Sequence, residues 1–479
     1  MREIVTPTEM AAIDADASEP VAELIERAGW ATAQAALRLL DGNAYGKRVA
    51  VLAGKGNNGA DGRSSARHLE HRGAVCRVFD VADESGTTAS EPVDSGSYDL
   101  ILDACFGTGL RGRFEARSLP IEVGDTPVLA VDIPSGVNGL TGAAQVSPLG
   151  AVATVTFAAL KPGLLFEPGR TLAGEVTVAD IGLDCSRARM WHLEASDLSG
   201  WPRRSESAHK WAHAVAVVGG SPGMAGAAAL SSTAALRAGA GYVVQIRPEV
   251  LGDGPSTPIE AVAVSLADDW RRAVEQVDRC AALVIGPGLA VDGPQMLSEL
   301  HQLLAMAGAP VVIDAGALRP DVLDGLFESP VADDRFPVLT PHDGEFERLT
   351  GRAAGPDRVD DVRRAAAELG AVVLLKGPTT VVAHPDGRAL LSTAGDQRLA
   401  TAGTGDVLSG IIGAGLALGL DPFLAAGLGA ELHGRAAGHG RAVGLTAGDL
   451  PDLVADLLSS RRPLPRQPSS RQPSSRQPW

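Results

Sequence analysis

The sequence predicts two α/β domains in series, the first Rossmann-like. Three observations carry this. Short β-branched runs (RVAVLAG, DLILDACFG, PVLAVDIPSG, ATVTFA, EVTVADIG) alternate with Ala-rich helical stretches over the first 180 residues or so. Continuous apolar strands separated by helices imply a parallel sheet covered on both faces. After a Ser-, Pro- and Arg-rich interval from Leu193 to Ala208, a second series begins: HAVAVVGG, GYVVQI, AALVIGPG, PVVIDAGAL, PVLTPHDGE and AVVLLKGPTTVVAH. A chain of 479 residues is too long for one ordinary core.

The elements follow in order. Thr6-Pro7-Thr8-Glu9 has the pattern of a capping box with proline in the first turn. Val21, Leu24, Ile25 and Ala28 fall on one helical face, so the chain is expected to open with helices. The aperiodic interval reads as a linker, with the boundary near Trp201. This divides the chain into residues 1–200, 201–462 and a disordered tail, 463–479, that repeats RQPSS without apolar content. Val407–Leu420 is apolar but Gly-rich, short for a membrane span and followed by Asp421-Pro422, and reads as a buried helix.

Composition narrows the partners. A net charge of −16 excludes the broad basic face that non-specific nucleic-acid or anionic-membrane binding needs. Only five of 42 basic residues are lysines (Lys47, Lys55, Lys161, Lys210, Lys376), which points weakly to sites wanting a compact ammonium. Cys76, Cys105, Cys185 and Cys280 lack metal-ligand spacing and are too few for a disulfide framework, so a reducing cytoplasm is expected. MREIVTPTEM lacks the apolar core of a secretory signal.

Ligands of open parallel sheets bind beyond the carboxyl ends of the strands, where GKGNNGADG, DACFGTGLRGR and DIPSG all fall. Glycines there let backbone amides approach phosphate. Asp132 in DIPSG is either an acid/base group or the cap of its own turn. Lys161 in KPG reads as a surface turn lysine, and Cys105 as a small buried residue. In GTGD, Gly403, Thr404 and Gly405 would present amides to a transferring phosphoryl group while Asp406 accepts a hydroxyl proton, or Asp406 is an ordinary helix N-cap.

GKGNNGADG, DACFGTGLRGR, AVDIPSGVNGLTG and TVTFAALKPGLL, in this order, resemble the NAD(P)H-hydrate epimerase domain. The resemblance implies a three-layer Rossmann-like domain with dinucleotide contacts from Asn57, Asn58, Gly59, Ala60 and Asp61, from Gly107, Thr108, Gly109, Leu110, Arg111, Gly112 and Arg113, and from Asp132 as acid/base group. It also implies a potassium ion among Asn58, Asp103 and Ser135. VVGGSPGMAGAAALSSTAALRAGAG, VIGPGL, TPHDGEFERL, LLKGPTT and ATAGTGDVLSG resemble the ADP- or ATP-dependent NAD(P)H-hydrate dehydratases, which are ribokinase-like. That likeness implies substrate contacts at Ala227, Gly288, His342 and Asp406, the last as base, and adenine-nucleotide contacts at Lys376, Gly377, Pro378, Thr379, Thr380 and Gly405. Alternatively, His342 is a structural turn histidine.

Together the resemblances imply a bifunctional repair enzyme for hydrated NADH and NADPH. ADP is the expected phosphoryl donor, with ATP the alternative and Mg2+ a phosphate counterion. Its partners would be these small molecules, with no nucleic acid or membrane, in a homo-oligomer. The rival readings are a ribokinase-like small-molecule kinase, of the thiamine-precursor type, and a first domain that only binds dinucleotide or another protein. The chain departs from the family pattern at Ala60, Trp211, Ala290, Gly316, Asp343 and Ala402.

Overall fold

The computed structural model describes residues 1–81, 93–108, 121–145, 148–248, 257–267, 270–306, 308–324 and 336–460. Gly109–Arg113 and the RQPSS tail lie outside them. The first half is built on a six-stranded, all-parallel sheet in the spatial order 75–80, 48–53, 100–104, 128–131, 153–157, 175–179. Alternate residues of Arg48–Ala53 enter different cores: Val49, Val51 and Ala53 pack on one face, Ala50 and Leu52 on the other. The strand is buried on both sides, as its unbroken apolar run predicts.

The second half forms an eleven-stranded sheet. Seven strands are parallel, in the order 372–375, 338–339, 311–313, 282–285, 214–218, 242–247, 262–265. Strands 380–383 and 389–392 extend it antiparallel. The segment Thr404–Ala417 is a helix buried nearly throughout, in agreement with the reading of Val407–Leu420. Among the described residues no helix is long and apolar enough to cross a membrane.

Two expectations change. The chain opens with a short strand, Arg2–Glu3, before the Pro7–Ala15 helix whose capping box forms as expected. That strand pairs antiparallel with Trp191–His192, whose own strand, Met190–His192, runs parallel to Ala389–Ser392. The first residues therefore complete the edge of the second sheet, a long-range pairing that local periodicity cannot report. The aperiodic interval after His192 is packed: Leu193, Leu198 and Trp201 enter the second half's core, and the Trp201 indole donates to Ala238 O at 3.0 Å.

Each half sets its key helix by a glycine contact. A Cβ on Gly29 of the Val21–Leu39 helix would lie 2.3 Å from Ser64 Oγ of the Asn57–Glu70 helix. A Cβ on Gly410 would lie 2.1 Å from Ser231 O of the Ala225–Arg237 helix. The second contact meets backbone, which cannot rotate away. Gly410→Ala is therefore expected to separate two core helices and to destabilise the second half by about 1–3 kcal/mol, read as an earlier urea transition; an unshifted transition would show that the helices can separate freely.

Candidate active sites

In the first half, the Arg48–Ala53 strand turns directly into the Asn57–Glu70 helix, so GKGNNGADG is a tight turn plus the first turns of a helix. Its glycines are sterically required. A Cβ on Gly54 would lie 1.9 Å from Cys105 O, and one on Gly59 would lie 1.9 Å from Gly54 O. Ala60, where the family pattern has glycine, sits inside the helix, where alanine is the better former.

A cavity of about 600 Å³ opens beside this turn. Its walls include Asn57, Asn58, Asp61, Gly107, Thr108, Asp132 and Lys161, and the face of the second helix carrying Val21, Leu24, Ile25 and Ala28. The apolar stripe read as a helix face thus lines the site, which explains why Val21 remains exposed.

Asp132 follows the Val128–Val131 strand with φ +67°, a left-handed conformation that is costly for a residue with a Cβ. Its Oδ1 lies 2.7 Å from Lys161 Nζ and accepts from Thr156 Oγ1 at 3.1 Å, while Oδ2 accepts from Thr108 N at 3.4 Å. None of these bonds caps the 133–136 turn, so the capping alternative does not describe it. Lys161 is the correction of greater consequence. It is not a surface lysine: only 1% of it is exposed, and its ammonium also donates to Thr156 Oγ1 and Phe157 O, each at 2.9 Å. KPG reads as a turn because Pro162 does begin a 3-10 turn, but the lysine before it points inward.

Two further acids face the cavity. Burial, together with the charges of Asp132 and Asp14, pushes Asp61 up to about 8. Burial also raises Asp14, opposed by the Lys161 charge. Sequence reasoning missed Asp14 as a cavity group, because an acid near the end of a short helix ordinarily faces water.

Asp103, at the end of the Leu100–Ala104 strand, is fully buried. Its Oδ1 accepts from Ser135 Oγ at 2.6 Å and its Oδ2 from Ser135 N at 2.7 Å, while burial raises its pKa. The Asn58 carboxamide is buried with neither its oxygen nor its nitrogen satisfied, and Asn58 Oδ1 lies 3.5 Å from the Cβ position of Gly107. A buried carboxylate, an amide oxygen without a donor and a hydroxyl form an oxygen donor set that fits a hard monovalent cation. Cys105 is buried, as expected, and all four cysteines are free.

In the second half, Gly403 (φ +91°) is the N-cap of the Thr404–Ala417 helix and Asp406 lies inside its first turn, so Asp406 is not the cap. Burial and the nearby charge of Asp314 raise Asp406 to about 7, with Lys376 opposing. Lys376, which follows the Val372–Leu375 strand, donates to Asp314 Oδ1 at 2.7 Å. Ser409 holds the other Asp314 oxygen. A Cβ on Gly405 would stand 3.2 Å from Lys376 Nζ, so Asp406, Asp314, Lys376 and Gly405 share one rim.

Ala227 and Gly288 also meet, since a Cβ on Gly288 (φ +61°) would approach Ala227 Cβ at 2.9 Å and Met224 O at 2.4 Å. His342 caps the Asp343–Thr350 helix, its Nδ1 accepting from Gly344 N at 3.1 Å and Glu345 N at 3.3 Å. Its structural role is therefore real, while the side chain stays largely exposed, with Nε2 3.5 Å from Glu345 Oε1. Within Lys376–Thr380 the residues diverge. Thr380 Oγ1 lies 3.5 Å from Gly377 O, whereas Thr379 is buried with its hydroxyl given to Leu165 O, and Pro378 O accepts from Arg170 at 3.5 Å.

The departures from the family pattern have local explanations. At Gly316 a Cβ would fall 1.8 Å from Leu289 O, so this backbone has no room for the usual aspartate. Asp343 pairs with Arg358 at 2.7 Å, Ala290 N donates to Ser221 Oγ at 2.8 Å, and Trp211 packs between Tyr242 and the Arg279 guanidinium. Nothing in the structure explains Ala402.

The family model described as YjeF-related protein N-terminus matches residues 21–91 and 80–163, and that described as NAD(P)H-hydrate dehydratase matches residues 215–458. The chain is 38% identical to the bifunctional NAD(P)H-hydrate repair enzyme Nnr of Moorella thermoacetica over 90% of its length and 91% of the relative's. It is 36% identical to the enzyme of that name from Escherichia coli, over 81% and 79% respectively. Among solved structures, a ribokinase-like superfamily protein from Enterococcus faecalis superposes with a TM-score of 0.50 at 26% identity, over 57% of this chain and 96% of the other. The chain belongs to the family of bifunctional NAD(P)H-hydrate repair enzymes.

Proposed function

We infer that this protein repairs hydrated NADH and NADPH, its first half interconverting the R and S hydrates and its second half dehydrating the S form at the expense of ADP, giving AMP and phosphate. The observation that carries the reading is the presence, at each of two sheet rims in one chain, of a partly buried aspartate beside a lysine: Asp132 with Lys161, and Asp406 with Lys376. A lone ribokinase-like kinase would leave the first of these unused. The two chemistries divide between the Glu175–Ala179 strand, which ends the first sheet, and the Met190–His192 strand, which joins the second, ahead of the boundary near Trp201 read from the sequence.

In the first site the ring nitrogen's lone pair expels the hydroxyl, which leaves as water once protonated, and water returns on the opposite face with loss of a proton. Asp132 relays both protons. Asp61, pushed up to about 8 by burial, is a neighbouring proton reservoir, while the Asp132 carboxylate beside Lys161 is placed to stabilise the iminium. Asn57–Asp61 and Gly107–Arg113 would hold the dinucleotide. Asn58, Asp103 and Ser135 would hold potassium, which when bound supplies positive charge to a buried carboxylate.

In the second site Asp406 takes the proton of the ring hydroxyl, whose oxygen attacks the terminal phosphoryl of the nucleotide. The amide end of the Thr404–Ala417 helix and Lys376 stabilise the charge on that phosphoryl group. Phosphate then leaves with the push of the ring nitrogen, and a proton is lost from the neighbouring ring carbon, restoring the reduced coenzyme. Ala227, Gly288 and His342 would contact the hydrate, and Lys376–Thr380 with Gly405 the nucleotide. ADP is our preferred donor, and Mg2+ its counterion. Among the described residues no group of three His, Cys, Asp or Glu side chains could hold a metal, so the phosphates would supply most of its ligands.

Mixing both epimers with ADP and following recovery of reduced-coenzyme absorbance tests the whole assignment: complete recovery is expected, and release of a phosphorylated ring product instead would establish a kinase. Asp132→Ala should stop recovery after the S epimer is consumed, while Asp406→Asn should leave epimerisation intact and lower dehydration by at least about 100-fold; full recovery in either variant removes that aspartate from its role.

The base form of Asp406 is the active one, so dehydratase kcat/KM should rise with pH through about 7. Replacing Lys376 by Met removes the cation that lowers this value, and the rise should move to higher pH; a flat profile around neutrality would contradict the base role.

Lys161→Met leaves Asp132 partly buried without its cation. Breaking such a pair costs about 3–5 kcal/mol, so the first half should melt earlier, and Lys161→Arg should not restore it because the wider fork does not fit the space around Thr156 and Phe157. Wild-type melting in Lys161→Met would show that the pair contributes nothing net.

A further inference from the structure

Among the described residues, the second half contains a buried cation with no partner. Arg247, the last residue of the Tyr242–Arg247 strand, is nine-tenths shielded from solvent, and its Nε is enclosed without an acceptor. Among the described residues its guanidinium makes no ion pair or hydrogen bond, and burial alone holds its pKa down, with no acidic neighbour opposing. Other shielded arginines here place at least one guanidinium nitrogen on an acceptor: Arg363 donates to Arg189 O at 3.1 Å, though its Nε too is enclosed without one, and Arg358 pairs with Asp343 at 2.7 Å. An unpaired guanidinium is costly to enclose, and its planar fork matches phosphate oxygens.

Strand register fixes its location. Val218 pairs with Ile246, and Gly219 N donates to Ile246 O at 3.0 Å, so Arg247 stands level with Gly219–Ser221 at the carboxyl rim. Side chains alternate along a strand, which puts Arg247 on the face of Val243 and Gln245. Val243 packs in the core cluster that contains Ala228, and Gln245 Nε2 lies 3.7 Å from the Cβ position of Gly220. That face is covered by the Ala225–Arg237 helix, whose first turn holds Ala227 and begins without a side-chain cap. Gly288 touches the same turn.

We propose that Arg247 binds a phosphate group of the hydrated dinucleotide at the second site, beside the amide end of the Ala225–Arg237 helix. This rests on the repair reading of that site. The hydrate is favoured over the nucleotide donor because the loop assigned to the donor, Lys376–Thr380, follows a strand five strand spacings from that of Arg247, roughly 24 Å across the sheet. From Asp314, at the reaction centre, it is three spacings, roughly 14 Å, a span that an extended dinucleotide covers. The phosphate is either the bridging pyrophosphate, common to both coenzymes, or the 2′-phosphate of the NADPH form.

Arg247→Met and Arg247→Lys in the full chain separate these sources. With saturating ADP and the S hydrates of NADH and NADPH as substrates, Arg247→Met should raise KM by about 10- to 100-fold with little change in kcat. Equal rises for both hydrates assign the pyrophosphate, and a rise confined to the NADPH hydrate assigns the 2′-phosphate. Unchanged KM for both, in a variant that melts like the wild type, overturns the proposal and leaves the repair reading standing. Should Arg247→Met fail to fold, Arg247→Lys carries the same test, since it keeps the charge but loses the fork: a several-fold rise in KM is expected, and none overturns it. No turnover of either hydrate by the wild-type chain would remove the repair reading and this assignment together.

Discussion

A carboxylate taken out of water at the end of a strand must meet a positive charge or become neutral, and both rims of this protein are organised by that requirement. At the first, Lys161 is enclosed beneath Asp132 and holds it with the help of Thr156. At the second, Lys376 and Ser409 hold the buried Asp314, and Asp406, left without an ion pair, is raised toward neutrality. The first arrangement pairs its aspartate directly with a buried ammonium, and the second leaves Asp406 poised to gain or lose a proton. Stabilising an adjacent cation requires the former and abstracting a hydroxyl proton the latter.

The segment that begins at Lys161 also joins the halves. Four residues on, Leu165 O accepts the buried Thr379 hydroxyl, and at its far end Arg170 donates to Pro378 O and to Thr393 O. The loop read as a nucleotide site is thus anchored on one side by the first half and ends on the other in Lys376 at the reaction centre. The Arg2–Glu3 strand, paired at the edge of the second sheet, adds a second tie. These contacts are incompatible with two beads on a loose string.

Much of this was legible in the sequence where it depends on local pattern. The parallel strands announced themselves as unbroken apolar runs and the Thr6–Glu9 capping box as four letters, while the strand-end glycines, read as room for phosphate, prove also to be places where protein backbone comes too close for a Cβ. The features that escaped are those set by distant partners. Lys161 has the local grammar of a turn, and only the arrival of Asp132 from another strand reveals why it is buried. Asp14 looks like solvated helix surface, and only the cavity that forms beside it shows that it faces Asp61 and Asp132. Arg2–Glu3 is too short to carry periodicity. Leu193–Trp201, lacking a regular pattern, read as linker although three of its side chains are core.

The same distinction explains why the departures from the family pattern do not dismantle the site. Ala60 falls in a helix that tolerates a methyl, whereas the glycines whose Cβ positions are occupied by backbone, Gly54 and Gly59, are kept. At the second rim the aspartate absent from position 316 has no room beside Leu289 O, yet the charge the rim needs is retained on Asp314 and balanced by Lys376. What the fold preserves is therefore the electrostatic arrangement and the close backbone approach that frames it. Individual letters around that frame vary where the geometry leaves them space.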